Sequence, residues 1–176
     1  PCRFPNAWNT RIGHHDWGVA WKLKTLYATP RDRTPHLQLQ HRTLTVAKHG
    51  PWGDSTCASR GCNLVENQEH LFKCPMIQRY YWERIYEFMD ELLIDNERSA
   101  TFWIVGIYKG KTLDKEAADI VAWAWRALYA ATVRAHAKNT HIDYLLALLQ
   151  FHQYAYSRAV AYCVKWQRWY RGQARW

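Results

Sequence analysis

Three cysteines and one histidine lie close together in the segment CASRGCNLVENQEHLFKCP, which runs from Cys57 to Pro75. Four residues separate Cys57 from Cys62, and three residues separate His70 from Cys74. Pairs of thiolate and imidazole ligands at such spacings are typical of structural zinc sites. The same side chains could instead belong to a disulfide framework or include a nucleophilic cysteine, so three chemistries have to be compared.

The zinc interpretation fits this segment better than its two alternatives. A disulfide framework needs an oxidising compartment and usually an even number of cysteines, whereas this chain has five. A nucleophilic cysteine needs a base and an electropositive pocket, and apart from His70 near Cys74 the sequence assembles no such pair. If no metal binds, the cysteines are buried small residues of a helical core.

The predicted zinc ligands are Cys57, Cys62, His70 and Cys74. Four protein ligands leave no position for a substrate water, so the zinc would be a structural cofactor. His70 and Cys74 lie about one turn apart on one helical face, and Gly61 can adopt the positive φ of a tight loop. We expect the two apolar residues between the second ligand pair to pack inward, and Arg60 and Lys73 to offset the charge of the site.

The cysteines outside the segment, Cys2 and Cys163, do not share its spacing. Cys163 is expected to be a buried small residue of a helix. The other histidines, among them the His14–His15 pair, offer no second ligand set at a sensible spacing. We therefore predict one metal site.

The charge of the chain is unevenly distributed around this segment. Residues 1–50 carry a net charge of +6, residues 51–100 carry −4 and residues 101–176 carry +7, which gives +9 overall. A strongly basic chain favours a polyanionic partner, most often nucleic acid, although a solvated surface is the alternative. The expected nucleic-acid contacts lie in the basic flanks: Arg31, Arg33, Arg42 and Lys48 before the segment, and Lys165, Arg168 and Arg171 after it.

The C-terminal sequence KWQRWYRGQARW alternates arginine with aromatic residues. Bases of single-stranded nucleic acid stack on aromatic rings beside arginine, so Trp166, Trp169 and Tyr170 are candidate stacking residues. Aromatic residues at helical spacing are also common in protein cores, and that alternative stays open.

The apolar periodicity predicts a mostly α fold: a helical domain with a small structural zinc knuckle. We divide the chain into a basic N-terminal helical region (1–50), the zinc knuckle with its following helix (51–95) and a basic C-terminal helical region (96–176). In the first region we expect a helix from about Asp16 to Tyr27, ended by Pro30, then a polar turn RDRTPH. Leu37 to Ala47 fits either a helix, which we favour, or a strand.

Helical signals are stronger after the cysteine segment. Pro75 suits the first position of a helix with apolar residues at three-and-four spacing as far as Leu92. TFWIVGIYKGK could be a strand or a buried turn, and Asp114 is expected to cap a helix through about Ala137. Thr140 and Asp143 resemble a capping box before a last helix from Ile142 to about Tyr170.

The stretch TCASRGCNLVENQEHLFKCPMIQRYYWERI resembles the zinc-binding segment of non-LTR retrotransposon reverse transcriptases, which lies downstream of the polymerase. The family pattern is a cysteine pair, an acidic E-x-x-E-H-L-F stretch, a Cys-Pro and a trailing Trp, here Trp82. The resemblance covers about residues 31–85, including the upstream RDRTPHLQLQHRTLTVAKHG. The sequence departs from the family by having four residues, where two are usual, between the first cysteines, and three, where four are often found, before the last.

This resemblance implies an accessory region of a retroelement polyprotein that contacts template RNA or target DNA, with the remainder of the polyprotein as a further partner. The sequence shows neither a Tyr-x-Asp-Asp polymerase motif nor a restriction-like nuclease motif after the knuckle, so we expect no catalytic residues and no small-molecule substrate. The alternative is a zinc-stabilised protein–protein interaction module, from a domesticated or decaying element.

The sequence also leads to an expectation about location. It begins at Pro1 without an initiator methionine, so we interpret it as a piece of a longer chain. No signal peptide and no run of about 18 apolar residues is recognisable in it. We expect an intracellular, nuclear protein with no membrane partner.

Overall fold

The computed structural model describes residues 19–20, 30–40, 44–46, 51, 55–162, 168 and 170–172. The described chain is mostly helical, which confirms the predicted fold class. Its elements, in order, are α1 (Pro30–Gln40), α2 (Gln68–Lys73), α3 (Pro75–Ile77), a π-helical turn (Gln78–Trp82), α4 (Glu83–Glu91), a second π-helical turn (Thr101–Val105), β1 (Ile107–Tyr108), β2 (Lys111–Thr112), α5 (Lys115–Lys138) and α6 (Tyr144–Tyr162).

Helix α1 differs from the sequence prediction in both its start and its end. Pro30 begins this helix, and RDRTPH, predicted as a polar turn, lies within it, with Pro35 in its interior. Residues 44–46, predicted to be helical, have no regular secondary structure. The predicted helix from Asp16 to Tyr27 lies outside the described residues except for Val19 and Ala20, which are helical.

The helix predicted to begin at Pro75 is confirmed. Pro75 occupies its first turn, and the chain continues through the π-helical turn to Glu91. The apolar residues predicted to face inward are all buried: Ile77, Tyr81, Ile85, Phe88, Met89 and Leu92. Their three-and-four spacing therefore fixes the face that this helix presents to the core.

A cluster of buried aromatic rings forms the centre of the core. The ring of Trp82 lies 4.8 Å from that of Trp103 and 5.0 Å from that of Trp125, and all three side chains are fully buried. Two of these three indole N–H groups donate to backbone carbonyls: Trp82 donates to Leu71, and Trp125 donates to Trp103. Trp82 thereby connects the helix of the second ligand pair to the core.

The TFWIVGIYKGK stretch combines both structures that its sequence allowed. Its first part forms the second π-helical turn, ended by Gly106 at φ 81°, and its second part forms an antiparallel hairpin in which Ile107 pairs with Thr112. The turn is buried, and it supplies the carbonyl groups to which α1 and α5 bond.

Helix α5 begins where it was predicted, because the Asp114 carboxylate accepts the N–H of Ala117 at 2.8 Å. The predicted capping box before α6 is wrong. Asp143 itself caps α6 by accepting the N–H of Leu146 at 2.9 Å, and Thr140 instead donates its N–H to the carbonyl of Ala135.

Helix α5 packs against both α6 and α1. The buried apolar residues form one cluster that includes Leu39, Cys74 and Phe151, one from each of the three predicted regions. The boundaries at residues 50 and 95 stay a prediction.

Candidate metal centre

The first ligand pair lies in a small hairpin of residues 56–65, separate from the β1–β2 pair and called the hairpin below. Thr56 pairs with Val65 in an antiparallel bridge, and the N–H of Cys57 donates to the carbonyl of Leu64 at 2.9 Å. Between them, the N–H of Cys62 donates to the carbonyl of Ser59 at 3.0 Å, and Gly61 has φ 78° as predicted. The hairpin closes sharply enough to place both cysteine side chains on one side.

The second ligand pair lies on α2 and at its C-terminal end. Asn67 caps α2 by accepting the N–H of His70 at 2.8 Å, and the N–H of Cys74 donates to the His70 carbonyl at 2.6 Å. Leu71 and Phe72 between the two ligands are buried, as predicted. Their burial anchors α2, and with it both ligands, against the apolar core.

The structure brings all four predicted ligands together. One ligand atom from each of Cys57, Cys62, His70 and Cys74 lies within 4.8 Å of the others, close enough to hold a metal ion. The Cys57 and Cys74 sulfurs are 4.0 Å apart, and the Cys62 sulfur is 3.3 Å from His70 Nε2. Sulfurs on a tetrahedral zinc are about 3.8 Å apart, given Zn–S bonds of about 2.3 Å.

Hydrogen bonding within the cluster favours a thiolate. The contact between the two sulfurs raises the pKa of Cys57, to which burial adds, and lowers the pKa of Cys74. One sulfur keeps the shared proton while the other accepts it. Metal ligation needs deprotonated sulfur, and the arrangement favours the ionisation of Cys74 while it opposes that of Cys57.

Ser59 connects the cluster to α6. Its hydroxyl oxygen lies 3.2 Å from the Cys57 sulfur and 3.7 Å from the Cys74 sulfur, and it accepts the phenol proton of Tyr144 at 2.8 Å. Ser59 is almost completely buried. Groups that hydrogen-bond to ligand sulfurs orient them and tune their charge.

The charge around the cluster differs in part from the expectation. Arg60 is exposed, but Lys73 forms an ion pair with Glu69 at 2.5 Å and is therefore directed to that carboxylate as well as to solvent. The other nearby acid, Glu66, is fully buried; its carboxylate lies 3.0 Å from His136 Nε2 and accepts the Ala58 N–H at 3.4 Å. Both acids of the knuckle that are closest in sequence to the ligands thus have partners.

A groove of about 390 Å³ separates the hairpin from the C-terminal end of α5. It is lined by Thr56, Cys57, Ala58, Ala135, His136, Asn139, Thr140 and His141. An adjoining depression of about 170 Å³ shares Ala135, Thr140 and His141 with it and adds Arg134 and Lys138. The metal cluster therefore borders a concave surface whose adjoining depression carries one arginine, one lysine and one acidic side chain, Asp143, at its edge.

The predicted nucleic-acid contacts are only partly within the described residues. Arg168 and Arg171 are exposed. Arg31 and Arg33 lie on α1, where their side chains are not described, and Arg42, Lys48 and Lys165 lie outside the described residues. The role of all seven stays a prediction.

The predicted aromatic tail is described only at Tyr170. Its ring is partly buried, lies 5.3 Å from the ring of Tyr156 and also contacts the ring of His152. Tyr170 thus packs within the molecule, which favours the core alternative for this residue. Trp166 and Trp169 lie outside the described residues.

Among the described residues, no second group of histidine, cysteine and acidic side chains is arranged to hold a metal ion. Of the remaining histidines, His36 is fully buried and hydrogen-bonded to backbone carbonyls. Cys2 and Cys163 lie outside the described residues.

Several residues of the site gave no signal in the sequence. Ser59 and Tyr144 are separated by 85 residues, and Glu66 and His136 by 70, so no local spacing connects them.

No helix within the described part of the chain is long and apolar enough to cross a membrane. Comparison of the sequence with protein families and curated proteins, and of the structure with solved structures, finds no match.

Proposed function

We propose that the chain is a non-catalytic, nucleic-acid-binding accessory region of a retroelement reverse transcriptase polyprotein, stabilised by one zinc ion. The observation that carries this proposal is the position of the metal cluster beside a groove edged by Arg134 and Lys138. The resemblance of the cysteine segment to non-LTR retrotransposon proteins supplies the biological context.

The ligand set supports zinc as the metal. Three sulfurs and one imidazole nitrogen form a soft, four-membered donor set, which zinc prefers over hard cations such as magnesium or calcium. All four positions of a tetrahedral ion would be filled by protein, so the ion would hold the hairpin against α2 and take no part in chemistry.

Charge supports nucleic acid as the partner. The chain carries +9 overall, and the acidic character of the knuckle is reduced locally, because Glu66 is buried against His136 and Glu69 pairs with Lys73. Lys138 is exposed where the groove meets α5. Phosphate contacts by such cations do not depend on sequence, and they position a strand.

A specific observation favours the interaction module as a second candidate. Helix α6 exposes Leu145, Leu149 and Tyr156, with exposed fractions of 79, 53 and 53%. Leucines at a spacing of four residues lie on one side of a helix, where they could contact another protein.

The experiment that tests the proposal is fluorescence-anisotropy binding of labelled U20 and dT20 to the full chain between 50 and 300 mM NaCl. We expect log affinity to fall with log salt, by about 0.7 for each phosphate contact. Lys138→Gln should make the slope shallower by about that amount. Lys111→Gln, an exposed lysine on β2 that does not line the groove, is the matched control and should change the slope less.

Absence of binding to both oligonucleotides at 50 mM NaCl would contradict the proposal, as would a flat salt response. The interaction module would then be the better interpretation.

A further inference from the structure

An exposed aromatic ring lies next to the metal cluster on the π-helical turn that follows the second ligand pair. Tyr80 has 42% of its surface exposed, whereas its neighbours Tyr81 and Trp82 are fully buried. Neither the charge pattern nor the groove accounts for an exposed ring at this place.

The Tyr80 ring packs against a second tyrosine ring. It stacks on the half-buried ring of Tyr144, with centroids 5.7 Å apart and planes inclined by 28°. Tyr144 in turn donates its phenol proton to Ser59, whose hydroxyl contacts two ligand sulfurs. The two rings are thereby fixed to the hairpin, and the surface that Tyr80 offers is already ordered before a ligand arrives.

Cations accompany the ring. The Arg79 guanidinium carbon lies 5.3 Å from the centre of the Tyr80 ring, and Arg79 is exposed. Arg60, next to Ser59 in the hairpin, is exposed as well. An exposed ring beside arginine combines a surface for base stacking with a cation for the adjoining phosphate.

We propose that Tyr80, supported by Tyr144 and accompanied by Arg79, is a stacking platform for an unpaired base of single-stranded nucleic acid. This rests on the proposed function and adds to it the part of the surface that distinguishes a single strand from a duplex. Stacking tolerates any base, because every base has a π-face, so the platform would contribute affinity without sequence preference. A protein partner for the same ring is the competing outcome.

The test compares two ligands with the same backbone charge, labelled dT20 and a labelled abasic 20-mer, on the full chain. Tyr80→Ala should weaken dT20 binding by about tenfold and leave abasic binding and the salt slope unchanged. Tyr80→Phe should restore binding, and Tyr156→Ala, which removes an exposed tyrosine from α6, should have little effect.

A second measurement does not depend on a variant. A 20-mer carrying 5-iodouracil should cross-link on irradiation to Tyr80 of the unmodified chain, as located by mass spectrometry. If the chain binds dT20 but Tyr80→Ala binds equally well and no cross-link forms at Tyr80, the platform is wrong and the proposed function stands. If the unmodified chain binds neither oligonucleotide, both are wrong, and the exposed ring is better explained by a protein partner.

Discussion

His36 is fully buried on α1, and its Nε2 lies 3.1 Å from the carbonyl oxygens of both Trp103 and Ile104. An N–H at Nε2 is present in one tautomer of the neutral imidazole and in the imidazolium. Because the side chain is buried, the neutral form is favoured. Burial lowers the pKa of His36 from 6.5 to about 4, against a smaller opposite effect of the two hydrogen bonds.

This shift makes folding pH-dependent. The unfolded chain binds the proton at higher pH than the folded chain does. The contribution of His36 to the free energy of unfolding is therefore complete above pH 6.5 and is lost as the pH falls toward 4. Between pH 8 and pH 5 the loss from His36 is about 2 kcal/mol. Urea unfolding at both pH values should show that His36→Gln loses less stability than the unmodified chain over this interval.

The variant itself is the control for other groups that titrate in the same interval, including His152, whose pKa burial also lowers. Those contributions occur in both chains and cancel in the difference. An equal loss in both chains would contradict the assignment to His36.

At the same scale, the sequence identified the candidate ligands because their signal is local. Two pairs at metal-binding spacing and a glycine at the turn are visible within 18 residues, from Cys57 to Cys74. The residues that support them are distant in sequence. Tyr144 reaches Ser59 only because α5 returns the chain to the hairpin, and no spacing rule encodes that return.

Among the elements, the junction between the hairpin and α5 depends on a buried charge. Glu66 is fully buried, and the His136 side chain is 8% exposed. The Ile142 N–H, in the loop after α5, adds a second connection by donating to the Ala58 carbonyl at 3.0 Å. A buried carboxylate is tolerated only when its hydrogen-bonding partners are present.

We therefore expect Glu66→Ala to lower the free energy of unfolding by about 3 kcal/mol, because it leaves His136 and the Ala58 amide without their acceptor. Glu66→Gln, which retains an oxygen acceptor, should lose less. Glu69→Ala is the matched control from the same hairpin-to-α2 region. Its ion pair with Lys73, which is 55% exposed, is worth less than about 1 kcal/mol.

Chemical denaturation followed by far-UV circular dichroism measures all three variants. If Glu66→Ala and Glu69→Ala lost the same small amount, the buried pair would not hold the hairpin to α5.

The elements also show where sequence patterns fail. Helices α4 and α5 were predicted because their apolar periodicity and the Asp114 cap are intrinsic to their sequences. Helix α1 was misplaced because two of its buried residues, His36 and Gln40, are polar. They are buried because their side chains bond to carbonyls of the second π-helical turn, a partner about 65 residues away.

At the scale of the whole molecule, the metal cluster adjoins the apolar core, and the core is much the larger of the two. Classical zinc fingers unfold without metal because they have little core of their own. The described part of the chain buries four tryptophans and the inner faces of α4, α5 and α6, and Cys57 and Cys74 belong to the same cluster. The ion should therefore stabilise the hairpin and α2 on a core that persists without it.

Elemental analysis of protein purified under reducing conditions should find one zinc per chain. Removing it with a chelator should lower the melting temperature by about 10 °C, as expected for a ligand about 1,000-fold above its Kd acting on a domain of this size. Most of the far-UV helical signal should remain at 20 °C. A chain with His70→Ala and Cys74→Ser should contain no zinc, and the chelator should not change its melting temperature.

No zinc in a folded native chain would leave the cysteines as core residues and remove the metal from the proposed function. Loss of all helical signal on chelation would instead mean that the aromatic core cannot stand without the ion. If zinc is present and the helical core persists after its removal, the core is stable by itself. The metal then assembles the hairpin, its groove and the Tyr80 platform on that core.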